Sequence, residues 1–245
     1  MPLTVTTELQ LSAPTWTAVT ADVLTGQSGK YGIDGSGPND RCAGSGAYRL
    51  RLNNGARNSG GLLGYYSPGH ANCRAGFDIG IKASVKWTDG VTTVTRGIGR
   101  IVSIIPTPGI YTERETLVEF VDWLDDAALT TVNGVATQTN KRADEILTSL
   151  LAASGTNPEA TSFDVGDSTF AYALDNLQDE RTRLLTAFST LAQSEGGFIY
   201  LVGDGTLTFK KRTGRASIVT SEATFTNSMQ GLAVRRSRGD IINLV

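Results

Sequence analysis

The hydrophobic period of this chain changes twice along its length, from two to about 3.6 and back to two, and few folds accommodate that order. Up to about residue 112 the sequence reads as short Thr-, Val- and Ile-rich runs separated by glycine-dense loops. This pattern predicts strands at 3–11, 15–24, 47–52, 77–87 and 91–106. In the fourth run Phe77, Ile79, Ile81 and Ala83 alternate with Asp78, Gly80, Lys82 and Ser84, the spacing of a strand buried on one face. Thr88-Asp89-Gly90 then supplies a hairpin turn, because an Asp-Gly pair tolerates the positive φ angles that tight turns demand.

From Thr116 the pattern changes. A strand at 116–123 leads into a short helix at 123–129. A second helix has Asn140 as its cap and Asp144 and Glu145 in a first turn that favours negative charge. Ala143, Ile146, Leu147, Leu150 and Leu151 form its apolar stripe. Gly155 and Pro158 end it. A third helix, about 179–195, carries Leu184, Leu185, Phe188, Leu191 and Ala192 at helical spacing and stops at Gly196-Gly197. Period two then returns at 198–202, turns at Gly203-Asp204-Gly205, and continues at 206–211 with Leu207 and Phe209. A further strand is expected at 231–236. The run 240–245 reads as a strand begun and left for further sequence, or another chain, to complete.

The fold class this order implies is α+β. A β-barrel-like tube domain at 1–112 precedes a strand-helix-helix middle segment at 113–197 and a second antiparallel β element at 198–245. Two loops, 26–41 and 53–76, are long for a compact domain; the first holds Gly26, Gly29, Gly32, Gly35 and Gly37 and closes with Pro38, Asn39 and Asp40. Loops of that length are usually functional or covered by a partner. Only 19% of residues are charged, so a partner-covered surface is expected.

Several function classes are disfavoured. A net charge of -2 with scattered Lys and Arg lacks the basic footprint of nucleic-acid binding. No run approaches the roughly 20 apolar residues of a membrane span, and Met1-Pro2-Leu3-Thr4-Val5 lacks the character of a signal peptide. Two cysteines without Cys-x-x-Cys spacing and a single histidine leave few metal ligands, so no cofactor is expected. Cys42 and Cys73 read as free structural thiols.

His70, in Ser67-Pro68-Gly69-His70, is the one conventional general base, yet no nucleophile motif accompanies it, and it reads as a loop histidine. Gly26-Gln27-Ser28-Gly29-Lys30-Tyr31 has two residues between its glycines where a phosphate loop needs four, and Tyr follows the Lys. Asp122, Asp125 and Asp126 suggest paired carboxylates or a calcium site, but they lie at a strand-to-helix junction and read as a solvated helix start. Arg238-Gly239-Asp240 reads as a turn. Tyr65 and Tyr66 are the most notable aromatic pair, able to stack on sugars, to anchor an interface or simply to pack their loop.

The segment from Thr116, Thr-Leu-Val-Glu-Phe-Val-Asp-Trp-Leu-Asp-Asp-Ala-Ala, and the later Gln-Thr-Asn-Lys-Arg-Ala-Asp-Glu-Ile-Leu-Thr-Ser-Leu-Leu together resemble a pattern of phage tail hub proteins. In that family, which includes contractile baseplate hubs, late control proteins and the base of type VI secretion spikes, a strand leads to a helix, a polar loop and a second helix. The stretches 16–23, 35–38 and 62–70, followed by Arg74-Ala75-Gly76-Phe77, look like the opening of siphophage tail-tip proteins, as do 173–180 and 192–198.

The resemblance implies a non-enzymatic structural protein of the virion tail, assembled in the host cytoplasm. It implies a homotrimer whose paired tube-like β domains form a pseudo-sixfold ring against a distal tail protein or tail tube ring. A spike or fibre protein would attach below, and DNA would be passing cargo. The candidate interface is Tyr65, Tyr66, His70 and Trp123. Two alternatives stand beside this reading: a carbohydrate-binding adhesion module using Tyr65, Tyr66 and Trp87, and a hydrolase using His70.

Overall fold

The computed structural model describes residues 3–25, 27–37, 39–109, 114–178 and 181–214. In chain order the strands are β1 (Thr4–Ser12), β2 (Thr15–Ala18), β3 (Ser28–Gly32), β4 (Gly44–Asn53), β5 (Lys82–Thr88), β6 (Thr93–Thr107) and β7 (Glu115–Val121). Helix α1 (Trp123–Leu129), strands β8 (Thr131–Val132) and β9 (Gln138–Arg142) and helix α2 (Ala143–Ser154) follow. Strands β10 (Ala160–Phe163), β11 (Thr169–Ala173) and β12 (Thr182–Arg183), helix α3 (Leu184–Glu195) and strands β13 (Phe198–Leu201) and β14 (Thr206–Lys210) complete the order. The expected strands 231–236 and 240–245, the Arg238-Gly239-Asp240 turn and the first residues of the expected third helix, Asp179 and Glu180, lie outside the described residues.

The first seven strands form one antiparallel sheet in the order β2-β1-β5-β6-β7-β4-β3. Alternation makes its two faces. On β4, Tyr48, Leu50 and Leu52 point into a core with Leu9, Ile101, Val118 and Phe120, while Arg49 and Arg51 point outward to Glu119 and Glu115 of β7. Each fully buried leucine stabilises by roughly 1.5–3 kcal/mol, whereas the outward ion pairs are solvated and contribute little. The β5–β6 hairpin closes as expected. Asp89 Oδ1 accepts from Val91 N at 2.9 Å and Thr92 N at 2.7 Å, and Gly90 takes a φ of 95°.

The sheet is not a closed barrel. Its edges, β2 and β3, are consecutive in sequence, and the link between them crosses the opening. Val19 N donates to Thr7 O of β1 at 2.8 Å, the chain makes a 3-10 turn at Thr20–Asp22, and Leu24 N donates to Arg51 O of β4 at 2.7 Å. The expected tube is thus a curled sheet whose seam is spanned by a 3-10 turn, and the strand expected at 15–24 ends at Ala18 for that reason. The strand expected at 77–87 begins only at Lys82. Asp78 Oδ1 accepts from Ile79 N at 2.8 Å, and Gly76 and Gly80 sit at φ 79° and 86°, so 77–81 turns and Ile79 is 60% exposed. The glycine-rich loop 26–41 holds the unexpected edge strand β3.

Helices α1, α2 and α3 bury their stripes against each other and against β13 and β14, around Leu124, Ile146, Leu150, Phe188, Ile199 and Phe209. Helix α1 matches its expected bounds. Helix α2 starts at Ala143, and its entry is held by Glu145 Oε2 accepting from Arg142 N at 2.9 Å. Asn140, the expected cap, is instead a strand residue of β9 at φ 52°. Helix α3 starts at Leu184, later than expected, because Thr182 and Arg183 pair with β8. Gly155 and Gly196 end their helices at φ 68° and 72°, in the left-handed conformation that favours glycine.

The expected β13–β14 hairpin is present, but β10 adds to β14 in parallel, so the second sheet is mixed rather than antiparallel. Two connections lock this half to the first sheet. Ala43 N donates to Ile199 O at 2.8 Å and Ile199 N to Arg41 O at 2.9 Å, which lays residues 41–43 along β13. The turn after β13 rests on β6: a Cβ on Gly203 would lie 2.5 Å from Thr95 O.

Candidate interface

The loop 53–76 is built on buried polar groups rather than left to solvent. Asn54 Oδ1 accepts from Tyr66 N at 2.8 Å and its Nδ2 donates to Ser67 Oγ at 2.7 Å. Asn58 Nδ2 donates to Gly55 O at 2.7 Å and Leu62 O at 2.8 Å. Beneath them Asp22, 2% exposed, accepts from Ser59 N at 2.6 Å, Ser59 Oγ at 2.5 Å and Tyr66 Oη at 2.5 Å. Arg74 Nη1 donates to Tyr66 Oη at 2.9 Å. A buried carboxylate is costly unless every oxygen is bonded, and here the donors come from the loop itself. The loop is therefore tied to the seam-spanning turn that carries Asp22.

The structure brings three of the four expected interface residues together on this loop, with unequal exposure. Tyr66 is fully buried, edge-on to Phe77 at 5.1 Å, and supports the loop from inside. Tyr65 is half-buried, with the Arg74 guanidinium 5.4 Å from its ring centre. His70 is exposed; its Nδ1 accepts from Asn72 N at 3.1 Å, and its ring lies over Gly64. Trp123 lies apart in the helical core, donating from Nε1 to Thr156 Oγ1 at 3.0 Å. Tyr66 and Trp123 thus offer no broad surface to a partner.

Two of the three aspartates at the α1 junction, Asp122 and Asp126, have distinct partners. Asp122 caps the helix, its Oδ1 accepting from Leu124 N at 3.0 Å, and is 4% exposed rather than solvated as expected. Burial raises its pKa to about 6 against the opposing pull of its backbone hydrogen bonds. Asp126 faces Arg100 at 3.6 Å. Among the described residues no cluster of His, Cys, Asp and Glu is arranged to hold a metal, and no helix is long and apolar enough to cross a membrane. Both cysteines are free thiols, and burial, with Asp40 nearby, pushes Cys42 up to about 12.

A large recess lies elsewhere, along the β3 edge. One part, of about 260 Å³, is walled by Tyr31 of β3 and Trp87 of β5 over a floor of Tyr48, Leu50 and Val85. It runs past Arg96 into a wider part, of about 630 Å³, between the loop after β3, Val94 of β6 and Tyr200 and Val202 of β13 and its turn. Tyr31, Trp87, Val94 and Val202 are each at least 40% exposed. Sequence reading singled out Trp87 alone from this group. The available signal was the alternation Gly29, Lys30, Tyr31, in which a small residue and an aromatic share one face; the surrounding glycines masked it as loop.

No family model matches the sequence, and no curated protein matches it. Solved structures share the fold. The 43 kDa tail protein of prophage MuSo2 from Shewanella oneidensis superposes with a TM-score of 0.54 at 12% identity, covering 84% of this chain and 53% of its own. A tail protein from Neisseria meningitidis MC58 gives 0.52 at 13% identity, covering 85% and 51%. The chain therefore spans about half the length of these two structures and has the fold of part of each.

Proposed function

We propose that this chain is a structural subunit of a phage or prophage tail, acting in the tail tip or baseplate hub. The observation that carries the reading is the fold shared with two tail proteins over more than four fifths of the chain. The strand-helix-loop-helix segment beginning at Thr116 agrees with it. In this role the chain forms a homotrimeric, symmetry-adapting ring that closes the tail tube. It meets a distal tail protein or tube ring on one side and a spike or fibre on the other, with DNA as passing cargo.

The role is mechanical and needs no catalytic group. Exposed β edges and the loop packed on Asp22 are features suited to assembly: the first offers backbone pairing, the second a rigid surface. Residues 1–112, 113–197 and 198–245 would serve as tube domain, helical middle segment and second β element. The adhesion alternative loses support from Tyr66, which is buried, and from Tyr65, which Arg74 covers.

Mass photometry of the purified chain tests the proposal, with a species at three times 26.0 kDa expected and ring-shaped particles in negative stain. Labelling of purified virions should place the chain at the tail tip. A stable monomer that is missing from virions overturns the reading.

A further inference from the structure

The geometry points to the cleft along β3 as a docking groove for an extended acidic segment of another protein, one that adds a strand to β3 and places an apolar side chain between Tyr31 and Trp87. This rests on the assembly role proposed above and names the chemistry of one of its partners. Three observations carry it.

The first is the edge. β3 pairs only with β4 among the described residues, four of its five residues are exposed, and Ser28, Gly29, Tyr31 and Gly32 line the cleft, so its outer edge has no strand partner among those residues. An edge with free amides alternating along the strand selects a peptide backbone over other ligands.

The second is the recess beside it. Tyr31 and Trp87 wall an apolar site whose floor is Tyr48, stacked on Phe120 at 4.7 Å and on Tyr31 at 6.0 Å. The row is rigid: a Cβ on Gly29 or Gly97 would fall within 2.5 Å of the Tyr48 ring, so glycine on both sides makes room for it. A rigid aromatic recess next to an edge strand is suited to one anchoring side chain of a paired segment.

The third is charge. Two guanidiniums line the groove, Arg96 lying 4.9 Å from the Trp87 ring centre and Arg41 5.1 Å from that of Phe198. Neither has a carboxylate partner among the described residues; Arg41 Nη1 donates to Gly196 O at 2.6 Å. The one carboxylate in the lining, Asp40, accepts from Ser36 N at 3.0 Å and Ser36 Oγ at 3.3 Å, and it offsets one of the two guanidiniums, leaving the other in excess. The groove therefore presents positive charge on a protein whose net charge is -2, and the complementary segment carries Asp or Glu beside its apolar anchor.

The test is a positional-scanning array of heptapeptides probed with the full chain, followed by titration of the best peptide in solution using tryptophan fluorescence. Expected is selection of Asp or Glu flanking Phe, Tyr, Trp or Leu, with binding weakened at least tenfold by Arg96→Glu and by Tyr31→Ala. N-methylation of alternate peptide amides should abolish binding, because it removes the donors that pair with β3. Circular dichroism of each variant confirms folding.

Several results overturn the inference: selection of basic residues or of no charge, insensitivity to Arg96→Glu, or equal binding of the N-methylated peptide. Sialyllactose binding in place of peptide assigns the groove to acidic sugars, and a change in oligomeric mass caused by Tyr31→Ala assigns it to a second copy of this chain; each overturns the peptide reading. Trimer formation without peptide selection removes only this inference, and peptide selection by a monomer absent from virions removes only the tail role.

Discussion

Replacing Tyr66 by Phe removes one oxygen from a fully buried site and leaves the packing volume almost unchanged, so it isolates the polar contribution that holds the loop 53–76. The hydroxyl donates to Asp22 Oδ2 at 2.5 Å and accepts from Arg74 Nη1 at 2.9 Å. Arg74 is half-buried, and its guanidinium can turn to water, so its loss adds little. A hydrogen bond to a charged acceptor contributes roughly 1.5–3 kcal/mol. Asp22 keeps Ser59 N and Ser59 Oγ, so it is not left bare. We expect Tyr66→Phe to cost about 2 kcal/mol.

Asp22→Ala strands all three donors in a site 2% exposed, for a cost of roughly 3–5 kcal/mol by analogy with breaking a buried charged pair. The double variant should fall short of the sum by about 1 kcal/mol or more, because deleting the hydroxyl after Asp22 has gone removes an orphaned group. Urea unfolding followed by tryptophan fluorescence measures this as a fall in midpoint at constant slope. A Tyr66→Phe variant within about 0.5 kcal/mol of the parent, or strict additivity, would refute the reasoning.

Asp122 gives a pH signature. Its folded pKa, about 6, lies above the ordinary carboxylate value of 3.8, so between these values the folded state holds a proton that the unfolded state releases. Stability should fall by up to about 3 kcal/mol as pH rises from about 4 to about 6. Asp122→Asn keeps a good cap and should flatten that fall, making the variant the more stable form at pH 7.5 and nearly equal to the parent at pH 4, as read by urea midpoints. Gly203→Ala forces a methyl into Thr95 O of β6 and should cost about 1–3 kcal/mol as overpacking, seen as a lower thermal midpoint. Leu150→Ala, at a fully buried position between the helices, should cost about 2–5 kcal/mol; a loss below 1 kcal/mol would contradict the packing described.

Elements with strong local signals were legible in the sequence. The Leu184, Phe188, Leu191 stripe and the Gly196 stop gave α3 its end, and Asp89-Gly90 gave the hairpin. Failures came where local rules compete. Phe77, Ile79 and Ile81 alternate perfectly, but Gly76 and Gly80 at positive φ and the Asp78 side chain bonded to Ile79 N turn the chain instead. Strands β8 to β12 are two to five residues long and held by pairing with distant segments, as Thr169 is with Arg142, so they are too short for a period to mark them. Tyr65 and Tyr66 stand side by side in the sequence, yet nothing local could tell that Asp22, far upstream, would draw the second inward. Arg41, Arg96, Tyr31 and Trp87 meet only because the sheet curls and β13 approaches, and no linear spacing records that meeting.

Residues 41–43 lie along β13, and Arg41 reaches Gly196 across 155 residues of chain. As the polypeptide emerges from the ribosome, Arg41 O and Ala43 N have no native partner until Ile199, near the end of the described chain, has been made. Contacts this distant in sequence slow folding, because loop closure precedes any reward. In the interval β4 ends in an unpaired stretch beside the glycine-rich loop, open to strand exchange with neighbouring nascent copies. Yield of native protein should therefore depend on synthesis rate and local chain concentration, with faster completion of the chain and dilution both favouring the monomolecular closure of Ala43 onto Ile199.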